Sequence, residues 1–277
     1  MRQFLLVFLC WAVALSGAPL EKTLIHTEKF YGYCDHHYNY DKAPLRPLSV
    51  KKHDLIFVNE KCLDSFFRRI HPQIRVPYIL VTDGNGPGSF APYLDDPKIK
   101  AWFGSDLNMV HPKVHKLPCS TLEYASDFFP AFAEIVESEI QKLKLVYIPF
   151  FYTNEGSQLL DKPFTSSGEA ISALAFYRQI KEAHFILLPH LESANDPLVW
   201  IALHLGAIPI VKRSVASPLL EDLPILLVDD FNALSEKSLI DDLREIEKKR
   251  PNLQKLTIDY WFDLIDGQKK SPIDFID

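Results

Sequence analysis

From Asp54 onward, apolar runs of strand length alternate with stretches whose apolar residues recur at helical spacing, a pattern that admits little besides a parallel sheet with helices on its faces. Residues 54–58 (DLIFV) read as a strand. In NEKCLDSFFRRI, Cys62, Leu63, Phe66, Phe67 and Ile70 fall on one helical stripe, and VPYILV at 76–81 is the next strand. A long helix is expected from Pro130 to Leu143, with Phe132, Ile135, Val136, Ile140 and Leu143 facing inward. There follow strand Leu145–Phe151, helix Glu169–Lys181, strand Phe185–Leu188, helix Pro197–Leu205, and strands Ala207–Val211 and Ile225–Val228. The last clear helix runs from about Glu236 to Lys249, with Leu239, Ile240, Leu243 and Ile246 inward, Ser238 and Asp241 as a capping pair, and Pro251 as its stop. A domain boundary is expected just before or within the helix that opens at Pro130, giving domains 19–130 and 131–277.

The segment from Phe185 to Phe231 carries the most detail. Asn195 and Asp196 supply side-chain acceptors just before Pro197, whose missing N–H suits the first helical position. Gly206 stands where a left-handed residue closes the last turn of the helix. In open parallel sheets ligands bind beyond the carboxyl ends of strands, where helix starts also offer amides to anions, so the loop His190–Asp196 is the natural place for a phosphate or a sugar.

This segment resembles the exostosin-like glycosyltransferases. The shared frame is Pro189, Trp200, Ala202, Leu203, Leu205, Gly206, Ile208, Pro209, Ile210 and Val211, then Ser217, Pro218, Leu219, Leu223, Pro224, Val228, Asp229 and Asp230. A second block, Pro77–Ser120, resembles the family in its strand, its polar loop, the stretch Asp95–Trp102 and the stretch His111–Pro118. The resemblance implies two Rossmann-like domains with parallel sheets in the GT-B arrangement, the N-terminal one abbreviated and acceptor-binding, the C-terminal one donor-binding. It implies transfer of a sugar from a nucleotide-sugar co-substrate to a glycan or other hydroxyl acceptor, with no further cofactor and no metal. On the donor side it points to Glu192, Ser193, Asn195 and Asp196, with Lys212 as a phosphate contact. On the acceptor side it points to Asn85, with Asp83 and His111 as catalytic candidates and the general base unassigned. Asn195 stands at the family's Asp, Leu198 at its Arg and Ile201 at its Glu, and neither Leu nor Ile makes a charge-assisted hydrogen bond. The alternative is therefore a secreted glycan- or protein-binding module that kept the frame and lost the donor chemistry.

Net charge is -6 and the sequence pI about 5.9, with no Lys/Arg block, so composition argues against nucleic-acid binding. Arg2, an apolar run from Phe4 to Leu15 and the small residues Ser16, Gly17 and Ala18 have the layout of a secretory signal over 1–18. The expected address is the secretory pathway, periplasm or exterior, or else a lumenal protein attached to the membrane through this segment alone. Removal of the signal leaves Cys34, Cys62 and Cys119, enough for one disulfide at most, with Cys62 better read as a buried apolar residue.

Other motifs are weak. The loop Thr82–Ser89 is rich in glycine but lacks G-x-G-x-x-G and G-K-[ST]. The run Cys34–Asp41 has metal-ligand residue types without ligand spacing and reads as a packed N-terminal arm. Asp229 and Asp230 read as the cap of a strand, Lys212 and Arg213 as either a phosphate contact or a solvated pair, and Trp200 as core. Neither a G-x-S-x-G nucleophile nor a papain-like cysteine setting occurs.

Overall fold

The structure, a computed structural model, describes residues 19–39, 45–86, 88–107, 109–121, 128–149, 157–168, 172–189, 195–213, 217–249 and 251–271. The chain forms two compact units. Of the described residues, those in 25–120 and 258–271 make the N-terminal unit, and those in 121–257, with 19–24, make the C-terminal unit. The change of unit falls at Ser120/Thr121, ahead of the helix where a boundary was expected, and the end of the chain returns to the N-terminal unit.

One helical turn, α1 (Leu20–Thr23), precedes helix α2 (Thr27–Tyr33), which His26 opens by accepting the Glu28 amide on Nδ1 at 3.1 Å. Strands β1 (His36–Tyr38), β2 (Leu55–Val58), β3 (Tyr78–Gly86), β4 (Ile99–Leu107) and β5 (Val114–Lys116) then form a parallel sheet in chain order. On one face Ile56, Val58, Tyr78, Leu80 and Trp102 pack on Cys62, Leu63, Phe66 and Phe67. The helix expected over 59–70 is instead a 3₁₀ turn (Glu60–Cys62), an α turn (Leu63–Ser65), a π turn (Phe66–Ile70) and a second 3₁₀ turn (His71–Gln73). The wider π turn rotates the stripe so that His71 becomes buried. Its Nε2–H donates to Asp96 at 3.1 Å and its Nδ1 accepts the Tyr78 hydroxyl at 2.8 Å, which fixes a neutral tautomer that burial also favours.

Strands in chain order put their right-handed crossovers on one face, so the other face needs cover from the ends of the unit. Leu55, Phe57, Ile79, Val81, Ala101 and Phe103 are buried there. Tyr31 of α2 meets Phe57 edge-on at 5.0 Å, and α2 is backed by the last helix of the chain, whose Phe262 stacks on Tyr33 at 4.0 Å. That helix and the edge strand β1 depart from the sequence pattern, in which the run Cys34–Asp41 reads as a packed arm.

The C-terminal unit runs α3 (Phe129–Glu137), β6 (Lys144–Pro149), α4 (Ser157–Leu160), β7 (Thr165–Gly168), α5 (Ala173–Lys181), β8 (Ala183–Leu187), α6 (Pro197–His204), β9 (Ile208–Lys212), β10 (Leu226–Val228) and α7 (Glu236–Lys248). The helix that returns to the N-terminal unit is α8 (Ile258–Lys270). The second sheet is also parallel, in the order β10-β9-β8-β6-β7. Val146, Ile148, Phe185, Leu187, Ile208 and Ile210 pack on Leu159 of α4 and on Leu239 and Ile246 of α7. Tyr147, Ile186 and Val211, of opposite parity, are buried as well, so this sheet is covered on both faces. The two units are thus Rossmann-like α/β units, each built on a five-stranded parallel sheet.

Several expectations shift in detail. Helix α3 stops at Glu137 because the Ser138 amide donates to Glu134 O and Ile135 O and its hydroxyl donates to Ile135 O, after which the Leu143 and Lys144 amides donate to Glu182 O. Leu143, expected inward, is 69% exposed. The capping box of α7 joins Ser235 to Ser238, not Ser238 to Asp241. Among the described residues no disulfide joins Cys34, Cys62 and Cys119, and Cys62 is buried. Among the described residues no helix is long and apolar enough to cross a membrane; the leader-like residues 1–18 lie outside them.

Candidate functional site

In the second sheet β6 lies between β7 and β8, so the chain leaves β6 toward β7 on one side and leaves β8 toward β9 on the other. Such a reversal opens a crevice at the carboxyl ends of the two strands, the usual ligand position in an open parallel sheet. Those ends are Pro149 and Leu187, and the loop expected to hold a ligand, His190–Asp196, follows β8 directly. Glu192 and Ser193 lie outside the described residues.

The described part of this end is helix α6. Asp196 is its N-cap, Pro197 its first residue, and Gly206 closes it at φ 70°. The Gly206 and Ala207 amides donate to Leu203 O at 3.1 Å and Ala202 O at 2.9 Å, a Schellman closure. The first turn is closed as well. Pro197 has no N–H, the Leu198 amide donates to Asp196 Oδ1 at 2.7 Å, and the Val199 amide donates to Asp196 O at 3.0 Å. Burial raises the Asp196 pKa above its ordinary value, and the bond from Leu198 N opposes that shift. Asn195, 4% exposed, accepts the Trp200 indole N–H on Oδ1 at 3.0 Å. Leu198 and Ile201, at the positions where the resemblance places Arg and Glu, are 8% and 2% exposed and belong to the core. Asn195 and Asp196 therefore spend these acceptor oxygens on the protein itself.

Lys212 ends β9, next to β8, and is exposed. Arg213 is engaged with Asp229 at 3.3 Å, and Asp230 accepts the Asn232 amide at 2.9 Å to cap a 3₁₀ turn. Among the described residues at this strand end, Lys212 is exposed to solution.

In the N-terminal unit two of the expected acceptor-side residues, Asp83 and Asn85, lie in the last part of β3, and His111 follows β4. The stretch Thr82–Gly86, expected to be loop, continues β3, with an irregular register against β4 between Thr82 and Asn85. Asp83 accepts Asn59 Nδ2 and the Glu60 amide, both at 2.8 Å, which fastens the end of β2 to β3. Asn85 pairs through its backbone with Asp106. His111 accepts the Lys113 amide on Nδ1 at 3.1 Å. The structure adds Glu60, whose carboxylate occupies the space that a side chain at position 84 would take, so a residue larger than Gly84 would displace that carboxylate. Sequence reasoning passed over Glu60 because it counted that residue into a helix. Asn59 directly after a strand was the available signal for a chain reversal there.

Fold and strand order together define a two-unit, Rossmann-like α/β protein whose second sheet reverses its strand order between β6 and β8. No protein-family model matches the chain, and no curated protein matches it. Among solved structures it is similar to a chain of the GtfA/B complex, with 8% sequence identity and a TM-score of 0.37 over 81% of this chain. The similarity spans 59% of that chain's own length.

Proposed function

We propose that the protein is glycosyltransferase-like and transfers a sugar from a nucleotide-sugar donor to a glycan or other hydroxyl acceptor. One observation carries this reading: the strand order reverses between β6 and β8, and the loop that the exostosin resemblance singles out follows β8. In the reaction the acceptor oxygen attacks the anomeric carbon, the bond to the nucleoside diphosphate breaks, and the hydroxyl proton passes to a base. The protein's task is to steady the growing phosphate charge and to take that proton. With the first amides of α6 engaged, the phosphate charge falls to Lys212 and Ser193, while Glu192 suits a donor hydroxyl. Asp83 and His111 remain the catalytic candidates and Asn85 an acceptor contact, with the base unassigned. The leader-like residues 1–18 suit a secretory, periplasmic or secreted address, or attachment to a membrane through that segment.

A second reading, a binding module that holds a glycan or a protein without donor chemistry, draws on the buried Leu198 and Ile201 and on the closed start of α6. Calorimetric titration with UDP- and GDP-sugars and with a glycan panel separates the two. Nucleotide-sugar binding with slow donor hydrolysis is the expected result. Glycan binding without nucleotide binding would replace the first reading by the second, and no binding of either kind would end both.

A further inference from the structure

We draw no further inference here: the strongest candidate, the half-buried carboxylates of Glu60 and Asp83 at the ends of β2 and β3, is an acidic cluster in which Asp83 accepts from Asn59 and from the Glu60 amide, and nothing among the described residues points to a ligand for it.

Discussion

Asn195 Oδ1 accepts the indole N–H of Trp200 at 3.0 Å with both residues buried, so the residue just before helix α6 is tied to the helix's own inner face. Loss of that acceptor leaves a buried indole donor one bond short. Asn195→Ala should cost about 1–3 kcal/mol of stability, seen as an earlier urea midpoint and a changed Trp200 fluorescence. An unchanged midpoint would show that the bond adds nothing net.

Asp196 acts on the same turn through charge. Its folded pKa lies above the ordinary 3.8, so the folded state holds the proton more tightly than the unfolded chain does. Its contribution to stability is full below 3.8 and is lost as pH rises through the folded pKa. Asp196→Asn keeps the acceptor and cannot ionise, and should match or exceed the wild type at pH 7, whereas Asp196→Ala should lose about 1 kcal/mol. Chemical unfolding of the three proteins at pH 3.5 and 7 checks both signs.

His204, the last residue of α6, is fully buried beside Phe132, its Nε2 has no hydrogen-bond partner, and burial pushes its pKa down to about 4. The unfolded chain takes up this proton near 6.5, so stability should fall as pH drops from 6.5 toward 4, by about 3 kcal/mol across the window. His204→Leu removes both the titration and the unsatisfied nitrogen. Its unfolding free energy should rise by about 1 kcal/mol at pH 7 and vary less with acid.

Gly84 tests the acceptor-side strand ends. A methyl there overlaps the Glu60 carboxylate, a flexible side-chain end that can swing away. Gly84→Ala should therefore cost less than about 1 kcal/mol while abolishing any function that depends on Glu60 and Asp83 at the ends of β2 and β3. Glu60→Gln, which keeps the shape, separates charge from position. Wild-type sugar handling in both variants would remove this strand end from the mechanism.

Lys181 Nζ donates to Ile135 O and Val136 O, each at 2.7 Å, and so closes α3 from a buried position on α5. Lys181→Met preserves the stem and strands two carbonyls, at an expected cost of about 3 kcal/mol by thermal unfolding.

Wherever a feature is made by neighbours along the chain, the amino acids alone determined it. The Asp196–Pro197 start and Gly206 end of α6 were legible because a cap and a left-handed closure involve residues a few positions apart. The alternation that demands parallel sheets was legible for the same reason. Helix α8 had a readable stripe in Ile258, Trp261 and Ile265, yet no local signal says which unit it covers. Tertiary structure alone decided the strand orders, the reversal between β6 and β8 and the turning of Asn195 onto Trp200. Hydrogen-bond ladders pair any two strands of similar pattern, so their order depends on which faces the helices and chain ends must cover, a question settled between residues far apart in sequence.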